Sequence, residues 1–296
     1  MKILILSPYL DAPFKKEKGT TRSGNIPEIR THWAKFIEKT ILSHRQMQDD
    51  IHLLEGYMWE FTKENIPDGY DLVYIPHKTR EQLPVDRALY WMQTVIPNYF
   101  TVDKEGWGAS NSNYPFSFTT KDKGLFDELK TRIDSNESKF DQPTTQIDKK
   151  DYIFFPCQLP HDETIKFHSD VSVEAALLMT LQYAEDNGLE VVVKGHPVNP
   201  ASMGQLRMIT QNYENATWVE NVSIHSCLAN ARAVFTVNSG VGLEALFHEK
   251  PVITYGRAEY DCVTQKAAPD IDLDYAPVDL YRKFVQNFFG NHCISV

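Results

Sequence analysis

Short apolar runs alternate with amphipathic stretches between residues 151 and 289, and this alternation restricts the chain to few folds. Five runs have the length and composition of buried strands: residues 152–158 (YIFFPCQ), 189–197 (LEVVVKGHP), 216–219 (ATWV), 231–237 (ARAVFTV) and 251–256 (PVITYG). The clearest helical pattern covers residues 171–187, and Gly188 follows it in the position expected after a helix end. Repeated β-α units of this length predict a doubly wound α/β domain with a parallel sheet.

The first third of the chain shows the same alternation less regularly. Residues 2–7 (KILILS) predict a buried strand, and residues 27–44 predict an amphipathic helix. Shorter strands are predicted at residues 51–54, 72–75 and 88–95. Strands that alternate with helices again indicate an α/β domain with a parallel sheet.

Residues 134–150 (DSNESKFDQPTTQIDKK) carry almost no apolar side chain, which is typical of a linker. We therefore predict two Rossmann-like, doubly wound α/β domains, over residues 1–133 and 151–296. Two such domains face a cleft, and ligands of open parallel sheets bind beyond the carboxyl ends of the strands. The informative residues are therefore those that directly follow the predicted strands.

Composition excludes several classes of protein. Charged residues make up 24% of the chain and hydrophobic residues 42%, so the chain is not disordered, collagenous or a coiled coil. No apolar run approaches the roughly 20 residues of a transmembrane helix, and no secretory signal pattern is present. The four cysteines are scattered, which favours buried thiols over disulfides or a zinc site. These features predict a soluble, cytoplasmic protein.

Charge is distributed unevenly along the chain. Residues 1–45 hold nine Lys and Arg against four Asp and Glu, a net charge of +5, while the whole chain carries −10. This segment is either a surface for an anionic partner or a solvated basic face.

Lys194, Gly195 and His196 directly follow the strand pattern EVVV, and Pro197 ends that strand. A lysine and a histidine at the mouth of a strand are suited to hold a phosphate. The alternative is a loop that carries polar residues by chance.

Asn238, Ser239 and Gly240 stand between a predicted strand and a predicted helix. Small residues at a helix N-terminus leave backbone N–H groups open to a phosphate. The segment is neither a Walker loop nor a dinucleotide fingerprint, because it lacks GK[ST] and does not follow the first strand. Glu244 lies in the first turns of this helix, where it either accepts ribose hydroxyls or stabilises the helix start.

Two carboxylates mark a glycine-rich loop in the first domain. Asp103 and Glu105 belong to the segment DKEGWG, and either is a candidate general acid or base, although the segment also fits a solvated acidic turn. Asp11, in the loop after the first strand, is the reserve candidate. The acidic cluster at residues 270–274 is interpreted as a solvated face, so no metal site is predicted.

Three segments resemble the capsule polysaccharide biosynthesis family of bacterial sugar transferases, which includes the Kdo transferases. They are FFPCQLPHDETI, KGHP, and NSGVGLEALFHEKPVITYG about 40 residues later. The resemblance covers about residues 150–260 and implies a GT-B arrangement of two Rossmann-like domains. It also implies that His196 and the turn at Asn238 and Ser239 hold the phosphate of a nucleotide sugar, with Glu244 near its ribose. Gln158 belongs to the first of these segments and is assigned to the same donor site.

The resemblance implies a glycosyltransferase that moves a sugar from a UDP- or CMP-linked donor to a hydroxyl acceptor, without a metal or further cofactor. Lys194 and His196 would neutralise the leaving phosphate. The first domain would bind the acceptor, and Asp103, Glu105 or Asp11 would deprotonate it.

Two acceptors remain open: a saccharide chain, or hydroxymethylated cytosine in phage duplex DNA. A looser similarity to phage DNA glycosyltransferases and the basic segment at residues 1–45 support the second. Two other activities also remain open: a sugar-nucleotide epimerase of the same fold, and a non-catalytic nucleotide-sugar-binding protein.

Overall fold

The computed structural model describes residues 1–10, 27–118, 124–197 and 200–296, and it contains two six-stranded sheets. Twelve strands are present in these residues: β1 (Lys2–Pro8), β2 (Asp50–Gly56), β3 (Leu72–Pro76), β4 (Ala88–Gln93), β5 (Tyr99–Asp103), β6 (Tyr152–Pro156), β7 (Val191–Lys194), β8 (Ala216–Val219), β9 (Ala231–Thr236), β10 (Val252–Thr254), β11 (Gln265–Lys266) and β12 (Cys293–Ser295). Eight α-helices accompany them in the described residues: α1 (Pro27–Gln46), α2 (Leu125–Asp134), α3 (Glu163–His168), α4 (Val173–Asp186), α5 (Gly204–Gln211), α6 (Ile224–Asn230), α7 (Gly240–Phe247) and α8 (Val278–Asn291).

The second sheet has the strand order β11-β10-β9-β6-β7-β8, and all of its pairings are parallel. Strands β7 and β8 follow β6 on one side of the sheet. Strands β9, β10 and β11 follow in order on the other side of β6. This is the strand order of a doubly wound Rossmann sheet. Every residue of β6, β7 and β10 is buried, as expected for strands covered by helices on both faces.

The first sheet has the order β12-β5-β4-β3-β1-β2. Its strands β1 to β4 are parallel, but β5 is antiparallel to β4, and β12 is antiparallel to β5. Only residues 94–98 connect β4 to β5, and a parallel crossover needs about a dozen residues or more. The short connection therefore forces the antiparallel pairing, which the sequence analysis did not predict.

Residues 135–151 connect the two halves of the chain, and two further elements, β12 and α2, each pack against the opposite half. Strand β12, at the end of the chain, pairs with β5 in the first sheet. Helix α2 packs against the helices of the second half, where the rings of Phe126 and Phe247 stack with centroids 5.3 Å apart. The division into domains at residues 133 and 151 remains a prediction. The two halves are joined by β12 and α2 as well as by residues 135–151.

Residues 135–151 contain no helix or strand, yet they are fixed to the second half by hydrogen bonds. Ser223 N donates to Thr145 O at 2.9 Å, and Ile147 N donates to Ser226 Oγ at 2.9 Å. The segment was predicted to be a linker because it lacks apolar periodicity. It is held in place by polar contacts instead, which no periodicity in the sequence reveals.

The predicted fold class is confirmed, since the structure is an α/β fold built on two largely parallel sheets. None of the described helices is long and apolar enough to cross a membrane.

The packing of α7 generates a stability prediction for Gly242→Ala. A Cβ atom at residue 242 would lie 2.3 Å from Oη of Tyr260, which is fully buried and donates a hydrogen bond to Ser239 O at 2.5 Å. We expect the variant to lose about 1–3 kcal/mol of unfolding free energy, because the tyrosine must move.

Denaturant unfolding measures this loss, and Gly204→Ala in α5 is the matched control. A Cβ at residue 204 meets no atom within 4 Å. The control should be neutral or gain up to about 1 kcal/mol of unfolding free energy. Equal stabilities of the two variants would contradict the packing described for α7.

Candidate functional site

A cavity of about 170 Å³ opens at the carboxyl ends of the second sheet. Its walls come from the loops after β6, β7 and β9, from the start of α7, and from residues 138–142 of the segment that connects the two halves. All seven residues predicted for the donor site line it: Gln158, Lys194, His196, Asn238, Ser239, Gly240 and Glu244. The structure therefore brings together residues that are up to 86 positions apart in the sequence.

The floor of the cavity lies between β6 and β9, where the strand order of the sheet reverses. Gln158 follows β6, and Asn238 follows β9. Gln158 Nε2 donates to Asn238 Oδ1 at 2.8 Å, and Asn238 N donates to Gln158 Oε1 at 3.0 Å. Crevices at such reversal points are where doubly wound sheets bind ligands.

These two amides hold the turn rather than reach into the cavity. Asn238 Nδ2 also donates to Thr164 O at 2.9 Å, so both ends of this amide have protein partners. Ser239 begins α7, and its Oγ accepts from Val241 N at 3.2 Å. Sequence reasoning predicted that the turn at Asn238 and Ser239 holds a phosphate, and in the structure both side chains shape the backbone of this turn beside the cavity.

Lys194 is the last residue of β7 and is only 7% exposed. Its amine makes no hydrogen bond and no ion pair with any residue that the structure describes. Burial lowers the pKa of Lys194, since the charged form loses hydration. A buried lysine without a partner is costly, and an anionic ligand would remove that cost.

A second lysine, Lys139, lines the same cavity and was not predicted from the sequence. The segment that carries it is fixed on both sides. Ser138 Oγ donates to Glu244 Oε1 at 2.6 Å, and the ring of Phe140 lies edge-on to His196 with centroids 5.7 Å apart. Nothing in the polar sequence around Lys139 distinguishes it from a surface lysine, so only the tertiary structure identifies it.

Glu244 lies in the second turn of α7 and is 3% exposed. Burial raises its pKa to about 7, although the Ser138 hydroxyl and the charges of Lys194 and Lys139 favour the ionised form. The carboxyl group is therefore close to half ionised at neutral pH. The cavity thus holds two lysines, Lys139 and Lys194, and two carboxyl groups, Asp162 and Glu244, and burial favours the neutral form of Glu244.

His196 contributes a neutral group to the cavity. Burial lowers its pKa to about 4, and the charges of Lys139 and Lys194 act in the same direction, against the charge of Asp162. Sequence reasoning expected His196 to share the positive charge with Lys194. In the structure the charge belongs to the lysines, and His196 offers a neutral ring.

Neither of the described candidate catalytic carboxylates lines the cavity. Asp103 is buried, and its Oδ1 accepts from the backbone N–H groups of Glu105, Gly106 and Ser112. Its Oδ2 accepts from Ser112 Oγ at 2.5 Å. Asp103 therefore organises its own loop and does not present a free base.

Glu105 is accessible to solvent and lies 3.6 Å from Arg80. The loop that carries it contacts the second half beside it, where Ser110 Oγ and His168 Nε2 are 2.7 Å apart. Asp11 lies outside the described residues, as do Lys15, Lys16 and Arg22 of the basic segment.

His77 is a further polar residue at a strand end that the sequence analysis missed. It follows β3 with φ of 52°, and its ring packs on Trp33 with centroids 4.8 Å apart. Among the described residues, its buried Nε2 has no hydrogen-bond partner. Burial and the charges of Lys139 and Lys78 lower its pKa to about 3. The sequence feature that could have identified His77 is its position directly after a predicted strand.

A second depression, of about 460 Å³, lies at the opposite edge of the second sheet, beside Asp151, Arg232 and Asp274. These residues surround the amino ends of the strands, where parallel sheets do not bind their ligands. In the described part of the chain, no three His, Cys, Asp or Glu side chains are grouped as metal ligands.

The two sheets form a GT-B-type fold, and comparisons with known proteins agree. Two structures of Thermosulfurimonas dismutans KpsC share the fold. Its beta Kdo 2,7 transferase aligns with a TM-score of 0.59 and 18% identity over 100% of this chain and 92% of the other. Its beta Kdo 2,4 transferase aligns with a TM-score of 0.54 and 16% identity over 80% and 83%.

Residues 124–271 match the family described as "Capsule polysaccharide biosynthesis protein", and the chain belongs to this family. Protein FixF of Sinorhizobium fredii (strain NBRC 101917 / NGR234) is 30% identical over 180 residues, which are 56% of this chain and 42% of FixF. Capsule polysaccharide export protein KpsS of Escherichia coli is 25% identical over 39% of this chain and 32% of KpsS. The chain thus spans less than half of the length of these relatives.

The pKa of Glu244 predicts how pH changes stability. The pKa is about 7 in the folded chain against an ordinary 4.5, so the neutral form favours folding. This stability is complete below pH 4.5 and is lost as pH rises through about 7. At 1.36 kcal/mol per unit, the loss approaches about 3 kcal/mol above pH 8.

Glu244→Gln should remove this pH dependence, because the amide stays neutral. Denaturant unfolding at pH 5 and pH 8 should show that the variant gains unfolding free energy over the parent protein as pH rises. A difference that is the same at both values would place the Glu244 pKa near its ordinary range.

Asp103→Asn should destabilise the protein by about 1–3 kcal/mol of unfolding free energy, since a buried acceptor of four hydrogen bonds loses its charge and one oxygen. Binding of nucleotides should not change. Thermal unfolding and calorimetric titration test the two statements separately. An Asp103→Asn variant with unchanged stability but weaker nucleotide binding would show that Asp103 belongs to the nucleotide site.

Proposed function

We propose that the chain is a glycosyltransferase that binds a UDP- or CMP-linked sugar in the cavity and transfers the sugar to a hydroxyl acceptor. The observation that carries this proposal is Lys194, a buried lysine at the end of β7 that lines the cavity and has no partner among the described residues. A phosphate there would supply the missing negative charge. Membership of the capsule polysaccharide biosynthesis family supports sugar transfer over epimerisation or binding alone.

Transfer of a sugar leaves negative charge on the phosphate that departs. A cation placed in advance, out of water, stabilises that charge more than it stabilises the bound donor. We assign this role to Lys194, with the neutral ring of His196 as a hydrogen-bond donor to the same phosphate. The turn held by Gln158 and Asn238 would present the N-terminal backbone of α7 to it.

Glu244 would bind the ribose of the donor. Its Oε1 already accepts from Ser138, so we assign Oε2 to a ribose hydroxyl. The hydroxyl would donate to the ionised carboxylate, and this favours binding near or above pH 7.

On the acceptor side, we keep Glu105 as the proposed base, because both oxygens of Asp103 are occupied within its loop. The proposed acceptor is a saccharide, which family membership supports. The DNA alternative depends on the basic residues of 1–45, and those at positions 11–26 lie outside the described part of the chain.

Lys194→Met tests the donor site. A hydrogen bond to a charged group contributes about 1.5–3 kcal/mol, so the affinity for UDP and CMP should fall at least about tenfold. The melting temperature of the free protein should rise or stay the same, because a buried charge without a partner has been removed. Calorimetric titration and thermal unfolding measure the two effects.

Lys150→Met is the matched control. Lys150 is exposed and lies just before β6, at the amino edge of the sheet away from the cavity. The Lys150→Met variant should bind UDP and CMP as tightly as the parent protein does. Undiminished binding by Lys194→Met, or an equal loss in both variants, would contradict the proposed donor site.

A further inference from the structure

We propose that Lys139 is the counter-ion of a second anionic group on the donor, beyond the phosphate assigned to Lys194. This inference rests on the proposed function and extends it to a residue outside the predicted donor motifs. It says that the donor carries two anionic groups and that the segment between the two halves recognises the second.

The Lys139 amine lies over the ring of Phe140, 5.7 Å from its centroid, but makes no ion pair in the described part of the chain. No carboxylate oxygen of these residues lies within 4.0 Å of its amine, and it makes no hydrogen bond to them. Burial lowers its pKa, while the more distant carboxyl groups of Asp162, Glu244 and Glu259 raise it. The three carboxyl groups therefore act on the amine from beyond ion-pair distance.

These three carboxyl groups are also poor counter-ions for Lys139. Burial raises the pKa of Glu244 to about 7, and it raises the pKa of Glu259 as well. Asp162 caps α3, where its Oδ1 accepts from Thr164 N and Thr164 Oγ1, both at 2.9 Å. Neither Lys139 nor Lys194 has an ion-pair partner among the described residues, so an anionic ligand could pair with both.

The two lysines do not duplicate each other, because their surroundings differ. Lys194 is the last residue of β7 in the second sheet. Lys139 lies on the segment between the halves, next to Phe140, which packs against the hydrophobic core of the first sheet. Lys139 is therefore the lysine of the cavity that reaches toward the first half, on the side from which an acceptor would approach.

A group at this position lies beyond the first phosphate along the donor, toward the bond that breaks. Two chemical sources provide an anion there: the second phosphate of a nucleoside diphosphate sugar, or a carboxylate on the sugar itself. Both present an oxyanion to a lysine amine, and matched ligands separate them.

The experiment compares ligand pairs that differ in one anionic group. UMP against UDP tests the second phosphate. UDP-glucose against UDP-glucuronate, and the carboxylate methyl ester of CMP-N-acetylneuraminate against CMP-N-acetylneuraminate itself, test a carboxylate on the sugar. Calorimetric titration of the parent protein should show that the more anionic member binds more tightly in at least one pair.

Lys139→Met should remove that advantage by about tenfold or more, since a charge-assisted hydrogen bond is lost, while the less anionic member binds as before. Lys139→Arg should retain part of the advantage, because it keeps the charge. Lys194→Met should weaken both members of each pair, and Lys150→Met neither. Melting curves establish that each variant is folded.

The possible failures are distinct. If the parent protein binds none of the six ligands, the proposed function is wrong and the inference fails with it. If nucleotides bind and depend on Lys194, but Lys139→Met leaves every pair unchanged or weakens both members equally, the donor site stands and the role of Lys139 is overturned.

Discussion

The paired amides of Gln158 and Asn238 fix the geometry on which the rest of the site depends. They connect the ends of β6 and β9, the two central strands between which the second sheet reverses its order. Because both amides are buried, each must find partners, and together they satisfy one another. These hydrogen bonds fix the turn before α7. Lys194 and Glu244 line the cavity beside this turn.

That cavity holds two lysine amines beside the carboxyl groups of Asp162 and Glu244. Lys194 and Lys139 have no ion-pair partner in the described residues, and burial shifts the pKa of Glu244 toward neutral pH. Such an arrangement costs folding free energy and is retained where a ligand offsets the cost. For this physical reason we propose that the site binds an anion.

Much of the second half could be predicted from the sequence, because its strands are short apolar runs and its polar residues directly follow them. KGHP and NSG were located in this way, and the structure places both in one cavity. The first half was harder, since the antiparallel pairing of β5 and β12 depends on a short connection and on the distant end of the chain. Asp103 was predicted as a base, but a carboxylate that organises a loop has the same local sequence as one that reacts. Lys139 could not be predicted, because its role depends on contacts between residues far apart in the chain.

The central claim is that the cavity at the reversal point of the second sheet binds a nucleotide through its phosphate. A crystal structure of the protein with UDP or CMP tests it most directly. The account predicts a phosphate oxygen within about 3.2 Å of Lys194 Nζ, beside the N-terminus of α7. A nucleotide bound elsewhere, such as the depression beside Arg232 at the amino edge of the sheet, with Lys194 left without a partner, would contradict it.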